Sequence, residues 1–191
     1  MVGNIPNFTK IDILRCFLKF GKNIGRQEIA KELGLGEGTT RTILGILKSK
    51  KFLDSTKKGH FLSRKGSEML SQICESVSLP KIVAYDGVYP EFKKAAVLVR
   101  NVVNLKEAYK LRDVAVKNSA EGVLILKFKG RLYVPDFDHK QDYKELEKHF
   151  ELKDNDVLLV AFSNDKRTAE NGVLAVAIEL NDTLKKFTND V

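Results

Sequence analysis

The chain has 191 residues, 43% of them hydrophobic and 30% charged, a balance that suits globular folding and leaves room for two small cores. No run approaches the roughly 18 uncharged apolar residues of a membrane span, and the N-terminus, MVGNIPNFTKIDILRCF, lacks a basic stretch ahead of an apolar one, so a cytoplasmic protein is expected. The formal charge of +8 is concentrated, with 14 Lys and Arg against 7 Asp and Glu in residues 1–79 and 19 against 18 in the remainder.

A basic excess confined to one part of the chain favours a polyanion partner, because each neutralised phosphate releases counterions; a solvated basic face is the plainer use of such charge. The first predicted helix is capped by Thr9, repeats Ile11, Leu14, Phe17 and Leu18, and ends at Gly21. A second starts after Gly25, buries Ile29, Ala30 and Leu33, and stops at Gly34. After the turn Gly34-Leu35-Gly36 a third runs from about Glu37 to Ser49 with Thr40, Ile43, Leu44 and Leu47 inward. Phe52 to Ser55 reads as a strand, Lys57-Lys58-Gly59 as a turn, and His60 to Leu62 as the returning strand. Ser63 then caps a fourth helix carrying Leu70, Ile73 and Val77. The two cysteines, Cys16 and Cys74, lack the CxxC spacing of a zinc or redox site and read as core thiols.

The run RQEIAKELGLGEGTTRTILGILKSKKFLDSTKKGHFLSRKGSEML, with its L-S-x-K-G stretch, resembles the winged helix-turn-helix of bacterial and archaeal regulators over about a third of the chain. The whole chain resembles an archaeal family of uncharacterised winged-helix proteins with a conserved C-terminal α/β domain, a likeness that supplies no ligand. The resemblance implies a transcription regulator whose third helix meets duplex DNA. With Thr40, Ile43, Leu44 and Leu47 inward, helical geometry leaves Gly38, Thr39, Arg41, Thr42 and Gly45 facing the major groove. Arg41 suits two acceptors on guanine, Thr39 and Thr42 suit a phosphate or a thymine methyl, and the glycines admit a close backbone. Lys48, Lys50 and Lys51, with Lys57 and Lys58 at the wing tip, are expected on phosphates. The GLGEG substring mimics a phosphate loop, but it lies between two helices and reads as a turn.

Pro80, Gly87 and Pro90 mark a connection, so domains of residues 1–79 and 80–191 are expected. Beyond it come a strand (Ala95 to Val103), a helix (Leu105 to Asn118), a hairpin (Gly122 to Phe128, Arg131 to Pro135), a helix (His139 to Phe150), a strand (Val157 to Phe162) and a final helix (Lys166 to Leu184). The fold class is therefore α+β, a winged helix-turn-helix followed by a βαββαβ, ferredoxin-like domain with an extra helix. One strand fits that plan poorly: Val157 to Phe162 is apolar on both faces and suits a buried strand or a different sheet. The small residues of the final helix, Ala169 and Gly172 among them, allow close packing on the sheet or across a homodimer interface.

No constellation of nucleophile, base and metal ligands is evident, so neither an enzyme nor a cofactor or metal is expected. Asp136, Asp138, His139 and Asp142 form an acidic cluster that can bind a divalent cation, although Asp138 reads more simply as a helix cap. In SNDKRTAENG a loop enters a helix N-terminus, where Asn164, Lys166, Arg167 and Thr168 are candidate contacts for a small-molecule effector; a capped surface turn is the other reading. The expected function is a sequence-specific, double-stranded DNA-binding regulator. Its alternatives are an enzyme acting on a nucleotide or cofactor with an autoregulatory helix-turn-helix, and a protein-interaction module of the transcription machinery.

Overall fold

The computed structural model describes residues 8–21, 23–105, 107–135 and 141–191. In chain order they form α1 (Lys10–Phe17), α2 (Arg26–Leu33), α3 (Glu37–Ser49), β1 (Leu53–Thr56), β2 (Gly59–Leu62), α4 (Arg64–Ser76), β3 (Lys81–Val83) and β4 (Lys93–Val99). The later elements are α5 (Ala108–Lys117), β5 (Gly122–Phe128), β6 (Leu132–Tyr133), α6 (Lys144–Glu147), β7 (Val157–Ser163), α7 (Lys166–Leu180) and α8 (Asp182–Asp190). The chain divides into two compact units, Met1–Gln72 with Lys185–Val191, and Ile73–Leu184. Among the described residues no helix is long and apolar enough to cross a membrane.

Local chemistry sets the elements of the first unit. A capping box starts α1: the Thr9 hydroxyl accepts the Asp12 N–H while the Asp12 carboxylate accepts the Thr9 N–H at 3.0 Å. Gly34, in the left-handed region, ends α2. Ser63 caps α4, accepting the Gly66 N–H at 3.0 Å. Gly66 has no space for a side chain, since a Cβ there would run into the Phe52 carbonyl. The hairpin pairs Leu53 with Leu62 and Thr56 with Gly59, leaving Lys57 and Lys58 as its tip. A third segment joins it at one point, with Ile24 and His60 exchanging two backbone hydrogen bonds of 3.0 Å.

Residues 185–191, read from sequence as part of the second domain, belong to this first unit. The reason is aromatic: Phe187 is buried, its ring stacked on Phe17 at 4.7 Å between centroids and tilted against Phe52 at 5.2 Å. Lys10 Nζ also donates to the Thr188 carbonyl at 2.8 Å. The single final helix expected from 166 to 184 is in fact α7 and α8. Asn181 adopts extended backbone between them, and its side-chain oxygen accepts the Leu184 N–H at 3.0 Å, capping the second helix.

The second unit is built on an antiparallel sheet of order β3-β4-β7-β5-β6. This departs from the ferredoxin-like plan, which places the last strand at an edge; here β7 lies between β4 and β5, and the two-residue β6 takes the edge. The physical cause is the composition of β7, buried along its whole length: Leu158 and Val160 join one core layer with Ala96, Leu98 and Leu126, while the alternate residues face the other way. On that other side α7 packs against β4 and β7, and α5 against α7 and β5. Gly172 permits the approach, because a Cβ there would collide with Ala120. The opposite layer is closed by Tyr85, Tyr143 and Leu146. The helix expected from 139 to 150 begins outside the described residues, and over 141–150 it holds only the single turn α6; β3 forms inside the stretch read as a connection.

Candidate nucleic-acid interface

α3 sorts its residues by face. Thr40, Ile43, Leu44 and Leu47 are buried, whereas Gly38, Arg41, Thr42, Gly45 and Lys48 are exposed, and Thr39 is half-buried. The exposed set follows i, i+3, i+4, i+7 and i+10 spacing, so it forms one stripe along the helix. Arg41 and Lys48 carry positive charge on it, and the exposed carboxylate of Glu37 lies beside it one turn before Arg41. The Thr42 hydroxyl donates to the Gly38 carbonyl at 3.2 Å. Neither Gly38 nor Gly45 is demanded by packing, since an added Cβ would meet nothing within 4 Å, and neither has a positive φ.

Lysines continue the stripe toward the hairpin. Lys48 Nζ donates to Ser55 Oγ of β1 at 2.8 Å, tying the helix end to the first strand. Lys57 and Lys58 are exposed in the turn, where the Lys58 N–H donates to Thr56 Oγ1 at 3.2 Å. Gly59 makes that turn possible: its φ is +129°, and a Cβ would sit 2.7 Å from the Ile24 carbonyl oxygen. Among the described residues Arg41, Lys51, Lys57 and Lys58 enter no ion pair. Lys50 differs from them. It is half-buried and lies 3.7 Å from Asp190 of α8, whose carboxylate also meets Lys65 at 3.2 Å.

Two groups beside this surface escaped the sequence reading. His60 lies directly across the hairpin from Ser55, and its Nδ1 is shut off from solvent without a partner among the described residues. Burial, then the charges of Lys48 and Arg26, hold the imidazole below its ordinary value of 6.5. Arg26, the first residue of α2, lies 3.6 Å from Glu37 at the start of α3. The signal for His60 was present in the hairpin register, which sets it opposite Ser55; nothing local points to Arg26, which arrives through the Ile24 bridge.

The candidate effector residues lie at the start of α7. Thr168 donates its backbone N–H to Asp165 at 3.0 Å and its hydroxyl to the Asp165 carboxylate at 2.7 Å, leaving Thr168 Oγ1 to accept the Ser163 hydroxyl, also at 2.7 Å. Burial pushes the Asp165 carboxyl up, but these bonds, with the N–H and charge of Arg167, outweigh it and hold the group below the usual carboxylate range. Lys166 lies 3.9 Å from Glu170, and Asn164 donates to Glu121 at 3.4 Å. The helix end is thus occupied by its own carboxylate, as in a capped turn. Asp136, Asp138 and His139 lie outside the described residues, and Asp142 accepts the Lys144 N–H at 2.9 Å. Among the described residues no group of three or more His, Cys, Asp and Glu is placed to hold a metal.

Residues 10–68 match a family model described as PH0730-like, N-terminal domain, and residues 91–180 match one described as a domain of unknown function (DUF4443). Among solved structures the chain is similar to the hypothetical protein PH0730 from Pyrococcus horikoshii OT3. That likeness has 27% identity and a TM-score of 0.79, and covers 95% of this chain and 100% of that one. S. agalactiae BusR in complex with its busAB-promotor DNA aligns over 90% of this chain and 97% of that one at 11% identity, with a TM-score of 0.23 that marks no shared fold. No curated protein matches the chain.

Proposed function

We propose that α1 to α4 form a winged helix-turn-helix, with β1 and β2 as its wing, and that the protein is a sequence-specific regulator of transcription binding duplex DNA. The observation that carries this reading is the exposed stripe of α3. It presents a guanidinium and an ammonium, no large apolar side chain, and two glycines that packing does not require. A helix with that face enters a major groove with its backbone close to the base edges, Arg41 bidentate to guanine and the Thr42 methyl available to thymine. Lys48, Lys57 and Lys58 neutralise phosphates on either side and fix the register. The excess charge of residues 1–79 supplies the sequence-independent part of the affinity.

The test begins with selection of bound duplexes from a random pool, followed by fluorescence anisotropy on the selected site and on unrelated DNA. Arg41→Ala is expected to lose about 1–3 kcal/mol on the selected site and less on unrelated DNA. Lys57→Ala is expected to weaken both alike and to reduce the slope of log affinity against log salt by about one. An equal loss for Arg41→Ala on every sequence removes base readout, and no duplex binding at low salt removes the whole reading. For the second unit we propose dimerisation or small-molecule sensing without catalysis. Sedimentation and thermal-shift screening address the two roles, and turnover of any stabilising metabolite overturns the absence of chemistry.

A further inference from the structure

Beside the turn of the hairpin, basic side chains arrive from three elements. Lys48 comes from α3 with its ammonium on Ser55; His60 of β2 is the direct cross-strand partner of Ser55; and Arg26 follows the Ile24 bridge that pairs with His60. Asp54, the neighbour of Ser55, lies on the other face of the hairpin by strand alternation, and Glu37 is the carboxylate that meets Arg26. His60 itself feels Lys48 and Arg26, and its Nδ1 and the Arg26 Nε are both buried without partners among the described residues. The like charges of Lys48 and Arg26 beside the imidazole, the latter offset in part by Glu37, cost stability that an anion placed among them relieves. Lys48 is also the last member of the Arg41 stripe, seven residues on, so the cluster continues the surface assigned to DNA.

We propose that Arg26, Lys48 and His60 together hold one backbone phosphate of the duplex, with His60 entering the contact as the imidazolium. This rests on the DNA-binding reading and adds a regulation to it: binding takes up a proton. In the unbound protein burial, and then the two cations beside it, hold the His60 imidazole below its ordinary value and so disfavour the imidazolium. A phosphate between the three reverses the sign of that field and raises the imidazole's affinity for a proton. Duplex affinity then falls as pH rises through the titration range of the bound imidazole, by up to about tenfold per pH unit for one proton.

The experiment uses the full chain and a mixed-sequence duplex at low salt, since a phosphate contact does not depend on base sequence. Anisotropy titrations between pH 5.5 and 8.5 are expected to show wild-type affinity falling with pH and His60→Gln nearly flat, with His149→Gln matching the wild type. Arg26→Gln is expected to reduce the salt slope by about one. NMR of the His60 ring in the unmutated protein is expected to show its titration moving upward on addition of duplex and staying in place with inorganic phosphate alone. A wild-type pH profile in His60→Gln, or a His60 titration unmoved by duplex, overturns the proposal while leaving DNA binding intact. An equal upward move with inorganic phosphate assigns the cluster to a free anion and also overturns it, and failure of the wild type to bind any duplex removes both readings.

Discussion

Gly45 is the residue where stability and binding are expected to part. Glycine inside a helix costs about 1 kcal/mol relative to alanine, because it loses more backbone freedom on ordering. At Gly45 no neighbour explains that cost, since a Cβ would touch nothing within 4 Å. Gly45→Ala is therefore expected to raise the unfolding free energy by roughly 0.5–1 kcal/mol in a denaturant melt, while lowering duplex affinity because a methyl group now stands between backbone and base edges. Unchanged or tighter DNA binding in this variant would show that the backbone is not approached there. The inward and outward sides of α3 were legible in the sequence, because a 3.6-residue period places each side chain without reference to the rest of the chain. The convergence on His60 was not, because its partners arrive through the Ile24 bridge and the Lys48 bond to Ser55, contacts between segments that periodicity does not join.

Among elements, α8 shows how a pattern can be right in spacing and wrong in continuity. Val176, Ala177, Leu180 and Leu184 keep helical spacing through position 181, so one helix is the natural reading. Asn181 nonetheless turns extended and caps a new helix, an option open to a residue whose side chain bonds nearby backbone. The new helix is short and amphipathic, and its Phe187 completes the Phe17 and Phe52 cluster. Removing a fully buried aromatic ring leaves a cavity as well as lost transfer energy, so Phe187→Ala is expected to destabilise the first unit by about 3–5 kcal/mol. Phe187→Leu should recover a large part of that loss in the same chemical-denaturation series. A loss under about 1 kcal/mol for the alanine variant, the range of an ordinary surface substitution, would mean that the ring is not part of this core.

At the scale of the whole molecule, the kinds and order of most elements were legible, and their long-range pairing was not. The apolar faces of Val157 to Phe162 pointed to a buried strand or a different sheet, yet the strands that flank it are decided by pairings far apart in sequence. Distance along the chain also concealed its return to the first unit. The second unit is one continuous segment, Ile73–Leu184, whereas the first is made of two, Met1–Gln72 and Lys185–Val191. The two pieces share more than the aromatic cluster: Lys10 is bonded to the Thr188 carbonyl, and Asp190 meets Lys50 and Lys65. A fragment of residues 1–79 therefore keeps the whole proposed DNA-binding surface and loses the ring that fills its core. In a domain this small, whose total stability is only about 5–15 kcal/mol, that loss takes a large share. The fragment is expected to melt without a cooperative transition near that of the full chain. Joining residues 185–191 to it through a flexible Gly/Ser linker should restore cooperativity, and the same addition carrying Phe187→Ala should not. Cooperative melting of residues 1–79 alone at the full chain's midpoint would show that the tail decorates this unit instead of completing it.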